Sequence, residues 1–290
     1  MTSRSQASAH ETAANRPLAI ICGGGDFPIV LAQAAADAGR APFLIGLVGS
    51  ADARIETFEH LWLHLGEVGK FLDALRARNI ADVAAVGAIK RPGFADIRFD
   101  LGAVKRLPAL TALFGGGDNR LLAGVAKLME KEGLKLCAVH EVAPQLLAPE
   151  GALTRRAPSA EALSDARLAA AMIAALSPFD VGQAAVVARG RVLAIEAAEG
   201  TDAMLARIAE LRASGRLSLK GRAGVLVKAP KRDQELRLDM PAVGLKTIAA
   251  AARAEIEGVV LAAGQVLLID RQACACAAEE AALFLHGMAL

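Results

Sequence analysis

Aromatic residues are scarce: of 290 residues only 3% are Phe, Trp or Tyr, with one Trp and no Tyr. With so few rings the core is filled chiefly by Ala, Leu and Val, as in a helix-rich α/β protein, and a pocket is expected to have aliphatic walls. Net charge is nearly absent too, at +2, which gives no ground for nucleic acid as a partner. The four cysteines, at 22, 137, 274 and 276, lack the paired spacing of a zinc site, and read as small buried residues in a reducing compartment. No charged, apolar leader is visible, and residues 1–16 read as a polar disordered tail. No uninterrupted apolar run reaches membrane-span length; the run from Val259 to Ile269 is broken by Gly264 and Gln265. The expectation is a cytoplasmic protein.

What is present first is an alternation of strands and helices. Apolar runs at 18–22, 42–47, 61–65, 83–86 and 134–139 read as strands, with helices at 68–78 and 119–131 between them. This pattern predicts a doubly wound, Rossmann-like domain over residues 17–143. Gly23, Gly24 and Gly25 follow the first strand, and Pro28 opens a helix, the arrangement that offers backbone N–H groups to a phosphate. The full G-x-G-x-x-G spacing is missing and no acid ends the second strand, which argues against a dinucleotide. Lys90 and Arg91 lie just past a strand's carboxyl end, where open α/β sheets bind ligands. Gly117 and Asp118 precede the next helix, with Asp118 a candidate cap. His140 reads as structural. Residues 144–178 read as a proline-containing connection with a helix over 159–176.

Residues 179–290 read as a second, α+β domain, with helices at 202–213, 245–254 and 271–285 and strands at 223–227 and either side of Gly264. A hairpin over 185–195, turning at Gly190, runs directly into Glu196, Glu199 and Asp202. After the strand 223–227 comes a mixed-charge segment in which Lys228, Lys231, Arg232 and Arg237 alternate with Asp233, Glu235 and Asp239 before Pro241 and Gly244. Carboxylates that hold a divalent ion, together with cations that neutralise phosphate oxygens, are what a bound phosphate ester requires. A solvated loop whose charges pair with one another explains the same composition. The basic span from Arg212 to Arg232 reads as a solvated face or as a surface for an anionic membrane or a diphosphate.

In order along the chain, Val181-Gly-Gln183, Ala194-Ile-Glu-Ala-Ala-Glu-Gly-Thr-Asp202 and Gln234-Glu-x-Arg-x-Asp-x-Pro-x-x-Gly244 resemble the UDP-2,3-diacylglucosamine pyrophosphatases of the LpxI type. The likeness extends to Gly23-Gly-Gly25, Gly87-x-x-Lys-Arg-Pro92 and Gly117-Asp118, and covers nearly all of the chain except the tail. Glu235 stands where that family usually has Asp, and Asn119 where it has an acid. The resemblance implies metal-dependent hydrolysis of UDP-2,3-diacylglucosamine to UMP and 2,3-diacylglucosamine 1-phosphate in lipid A biosynthesis. It further implies a homodimer, and the basic span leaves peripheral contact with the inner membrane surface open. On this reading Asp239 is a metal ligand or catalytic acid, and Glu196, Glu199 and Asp202 are further metal ligands, with Mg²⁺ the expected ion. Lys228 and Arg237 bind phosphate oxygens and Gln183 orients water or sugar. Gly23, Gly24, Gly25, Lys90, Arg91, Gly117 and Asp118 form the substrate-binding set. The competing readings are a nucleotide-sugar reductase built on the first domain and a lipid or nucleotide carrier with no hydrolase activity.

Overall fold

The computed structural model describes residues 16–89, 97–98, 100–104 and 118–290. These group into two compact units, one running to Pro144 and including Glu235–Asp239, the other made of Gln145–Gln234 and Met240–Leu290. The chain thus leaves the second unit at Gln234, contributes five residues to the first, and returns.

The first unit is a five-stranded parallel sheet in the order β3-β2-β1-β4-β5. Its strands are β1 (Leu18–Cys22), β2 (Pro42–Leu47), β3 (Glu59–Leu63), β4 (Asp82–Val86) and β5 (Lys135–Leu136). Helices α1 (Phe27–Asp37), α2 (Val68–Ala77), α3 (Leu101–Val104), α4 (Asp118–Lys131) and α5 (Val139–Val142) connect or follow them. The central β1 is apolar along its whole length because both its faces are covered; Leu18, Ala19, Ile20 and Cys22 are fully buried. The expected strand 134–139 shortens to two residues, and His140 with Glu141 lies in the single turn α5.

At the carboxyl ends of β1 and β4 two glycine turns pack backbone against backbone. The amide of Gly23 donates to the Val86 carbonyl at 2.8 Å, and those of Gly24 and Ala88 exchange bonds with each other's carbonyls at 2.7 and 3.0 Å. A Cβ on Gly23 would lie 2.6 Å from the carbonyl carbon and oxygen of Gly87, which itself holds φ +94°. Only glycine fits that approach.

The second unit is a six-stranded mixed sheet in the order β6-β13-β11-β9-β7-β8. Its strands are β6 (Gly151–Ala152), β7 (Ala184–Ala188), β8 (Arg191–Ile195), β9 (Val225–Lys228), β11 (Gly258–Ala262) and β13 (Phe284–Met288), while β10 (Ala242–Val243) and β12 (Leu267–Leu268) form a separate parallel pair. Strands β9, β11 and β13 run parallel. The crossovers between them are α8 (Leu245–Arg253) and α9 (Arg271–Glu280), so half of this sheet is wound like the first unit rather than as a run of hairpins. Strand β7 is antiparallel to β9 and forms the expected hairpin with β8. The hairpin turn at Arg189 and Gly190, both at positive φ, is held by the buried Asp165, whose carboxylate accepts from both turn amides at 2.7 Å.

Two corrections concern helices. Helix α6 (Ala160–Leu176), capped by Ser159, belongs to the second unit, where it packs on β7 and β9 through Ala162, Ala166, Ala169 and Ile173. Together with the turn that follows, Ala160–Phe179 is long and apolar enough to cross a membrane, the one such helix among the described residues. Alanine supplies that hydropathy, and here alanine makes the close contact with the sheet. The last helix stops at Glu280 rather than near 285: Ala282 turns left-handed at φ +55°, and Phe284–Met288 becomes an inner strand.

Replacing Gly23 by Ala forces the β1 and β4 turns apart. It is expected to destabilise the protein by about 1–3 kcal/mol, seen as a lowered Tm in thermal unfolding; an unchanged Tm contradicts the packing role.

Candidate active site

The register of the second sheet builds a buried polar centre. Lys228, the last residue of β9, lies opposite Ala184 at the start of β7. On the other side of β7 the ladder continues one residue beyond β8, with the Glu196 amide donating to the Ala184 carbonyl and the Gly182 amide to that of Glu196, both at 2.9 Å. Glu196 and Lys228 therefore flank the same end of one strand. Both are 7% exposed, and Nζ stands 3.6 Å from Oε2. Position 182 must be glycine, since a Cβ there would lie 2.4 Å from Glu196 Cγ.

Two charges this deep need every partner they can find. The Gln183 backbone N–H donates to Glu196 Oε2 at 2.7 Å, and the Thr201 hydroxyl donates to Oε1 at 2.7 Å. Lys228 Nζ donates to that same hydroxyl at 2.6 Å. The arrangement is a continuous ammonium–hydroxyl–carboxylate chain. Sequence reading missed Thr201, which looks like an ordinary helix-start residue; only the direct run from β8 into the helix α7 (Gly200–Ala213) puts it beside Glu196.

The acids expected to share an ion with Glu196 have other partners. Glu199 occupies the cap position of α7 without capping it and instead pairs with Arg207 at 2.8 Å. Its own backbone amide and Arg207 hold its carboxyl below the ordinary range. Asp202 is exposed in the first turn of α7, where a negative charge suits the helix dipole. Among the described residues no three His, Cys, Asp or Glu side chains come together as a metal site. Glu196, Glu199 and Asp202 therefore do not gather into a prebuilt metal centre.

Past β9 the mixed-charge segment is tied down at many points. Lys231 pairs with Asp180, its amide donates to Gln234 Oε1 at 2.9 Å, and the Arg232 amide donates to Ser177 Oγ at 2.8 Å. Within the first unit, Arg237 grips Glu235 bidentately at 2.8 and 2.7 Å and reaches Glu130 at 2.7 Å. Arg237 lowers the Glu235 pKa from its ordinary 4.5, so this pair stabilises the fold above that pH and weakens as acid protonates the carboxyl. Leu238 packs against the first unit's core, and the half-buried Asp239 donates its amide to the Glu235 carbonyl at 3.0 Å. For Arg237 and Glu235 the plain reading, charges pairing with one another, describes what is seen. Asp239 and Glu196 belong to different units.

Of the proposed substrate-binding residues, Gly23 and Gly24 spend their amides on Val86 and Ala88, which removes two donors from a phosphate cradle. Gly25, at φ +93°, leads into α1 and has open space where a Cβ would stand. Asp118 begins α4. Lys90, Arg91 and Gly117 lie outside the described residues.

Two family models match the chain: the LpxI N-terminal domain over residues 17–146 and the LpxI C-terminal domain over 149–286. Their junction, between residues 146 and 149, falls within five residues of the boundary between the two units at Pro144 and Gln145. A protein of Caulobacter vibrioides, named UDP-2,3-diacylglucosamine pyrophosphatase LpxI, is 40% identical over 273 residues, which span 94% of this chain and 98% of that one. The solved structure of a GalE-like L-threonine dehydrogenase from Cupriavidus necator, in its holo form, aligns over 89% of this chain and 88% of its own at 15% identity. The TM-score is 0.27.

Exchanging Lys228 for Met strands the Glu196 carboxylate in the interior. The expected loss is about 3–5 kcal/mol in denaturant unfolding, with part recovered when Glu196→Gln is added. Equal stability of Lys228→Met and the parent contradicts the buried pair.

Proposed function

Because the chain belongs to the LpxI family, we propose that it hydrolyses UDP-2,3-diacylglucosamine to UMP and 2,3-diacylglucosamine 1-phosphate (lipid X), a step of lipid A biosynthesis. The observation that carries this reading is the near full-length match to a relative named for that activity, in which each chain covers almost all of the other. In the reaction one P–O bond of the diphosphate bridge breaks, and water supplies the oxygen and the protons that the two phosphate products require. The obstacle is electrostatic: a doubly charged diphosphate repels the oxygen that must attack it, so cations fixed in advance lower the barrier.

Among the described residues Lys228 is a cation well prepared for that task, buried and already aligned by a hydroxyl and a carboxylate. Arg237 binds phosphate in this reading by exchanging a carboxylate partner for phosphate oxygens, an exchange that suits a bidentate guanidinium. Asp239, inside the most specific family motif, is assigned as the acid of the mechanism, and Gln183 orients water or sugar. Lys90, Arg91, Gly117, Asp118 and the glycine turn at 23–25 complete the proposed substrate set. A dependence on Mg²⁺ belongs to the same reading; such an ion is satisfied by one or two carboxylates plus the substrate's own phosphates, whose charge it would offset. The parallel strand order β3-β2-β1-β4-β5 supports a Rossmann-like description of the first unit. A cytoplasmic site of action, peripheral contact with the inner membrane and a homodimer are parts of the same proposal, the contact favoured by the acylated substrate and the exposed Arg216 and Lys220.

Purified protein given UDP-2,3-diacylglucosamine is expected to release UMP, to stop when a chelator is added, and to lose turnover in Asp239→Ala without loss of Tm. Binding of the substrate with no UMP formed makes the protein a carrier and overturns the reading.

A further inference from the structure

We propose that Thr201 is a positioning residue that aims the Lys228 ammonium at the substrate's diphosphate, an inference that rests on the reading of this chain as a diphosphate hydrolase. An ionised carboxylate only accepts hydrogen bonds, so the single hydroxyl hydrogen of Thr201 is committed to Glu196 Oε1 at 2.7 Å. The lone pairs of the same oxygen are then left to accept from Lys228 Nζ at 2.6 Å. The direction of the chain is therefore fixed: Glu196 orients the hydroxyl, and the hydroxyl orients the lysine.

An ammonium carries three N–H donors. Thr201 takes one, and Glu196 Oε2, 3.6 Å away, draws a second. Among the described residues Lys228 has no further partner. At 7% exposure the third donor has little water to serve it, and an anionic oxygen arriving from outside satisfies it. Lysine otherwise has a flexible four-carbon stem worth about 2 kcal/mol of rotamer entropy. Thr201, stiff at χ1 because it is β-branched, removes that freedom before the substrate arrives. The carboxylate behind it stands 3.6 Å away, outside hydrogen-bond distance, and does not compete for the third donor.

The test uses the whole chain with Thr201→Val, which keeps the shape and deletes the hydroxyl, and Thr201→Ser, which keeps the hydroxyl. The readouts are kcat and KM for UDP-2,3-diacylglucosamine, Kd for inorganic pyrophosphate by calorimetry, and Tm. The proposal expects Thr201→Val to lose about 10- to 100-fold in kcat/KM and about 10-fold in pyrophosphate affinity, with Thr201→Ser within about 5-fold of the parent in both. A lowered Tm with unchanged pyrophosphate affinity makes Thr201 purely structural and overturns the inference, as does a parent protein that does not bind pyrophosphate at all. A parent that binds pyrophosphate through a Thr201-dependent contact yet releases no UMP upholds the aiming of Lys228 and removes the hydrolase reading instead.

Discussion

The contact on which the second unit's chemistry depends is the buried approach of Lys228 to Glu196 through the Thr201 hydroxyl. Neither charge could remain inside alone, since an isolated ion loses more in desolvation than any nearby packing returns. The sheet makes the pairing possible by ending β8, β7 and β9 at the same level, so that three backbone positions deliver their polar groups to one place. Gly182 then leaves the space that the Glu196 stem fills, and the Gln183 amide takes one carboxylate oxygen. The other buried charge of this unit, Asp165, is spent on the hairpin turn, and most of the remaining core is aliphatic.

The first unit uses its sheet end differently. Its glycine turns after β1 and β4 are knitted to each other by backbone bonds, and their small size is explained by the distance between the two chains. One polar group it holds, Glu235 with Arg237 and Glu130, comes partly from a five-residue excursion of the chain out of the second unit. Leu238 anchors that excursion in the first unit's core, while the charges beside it satisfy one another. The most specific family motif in the chain is therefore also the segment that joins the two units by connectivity.

Much of the fold was legible because the strands are fully buried and read as continuous apolar runs. The expected strands 18–22 and 42–47 match the observed ones to the residue, and the helices around 68–78 and 119–131 match to within one. The failures share a cause: at short range, apolar residues fit helix and strand equally well. Leu283–Leu285 continues the helical pattern of α9, and the break falls on Ala282, a residue type that gives no warning of a left-handed turn. The Pro-rich stretch from 144 looked like a connection, yet it supplies strand β6 and leads to α6, because pairing with β13 is a long-range event no local signal announces. At the site, Glu196 and Lys228 stand out in the sequence at strand ends, as a metal ligand and a phosphate-binding cation, and the structure pairs them with each other. The three-acid ion centre was not found, since proximity in sequence placed Glu199 and Asp202 on a helix whose own arginine and dipole engage them. Thr201 was invisible for the opposite reason: its type is common at helix starts, and only the register shows what it touches.

Lys228 itself can be watched. With the lysine side chains labelled with ¹⁵N, the Nζ resonance of Lys228, assigned by comparison with Lys228→Arg, is followed while inorganic pyrophosphate is added. The account predicts that this buried ammonium shifts in a saturable way at the same midpoint as binding measured by calorimetry. A Lys228 resonance that stays fixed while pyrophosphate binds, with only surface lysines responding, contradicts the claim that the buried chain from Glu196 through Thr201 prepares a cation for the diphosphate.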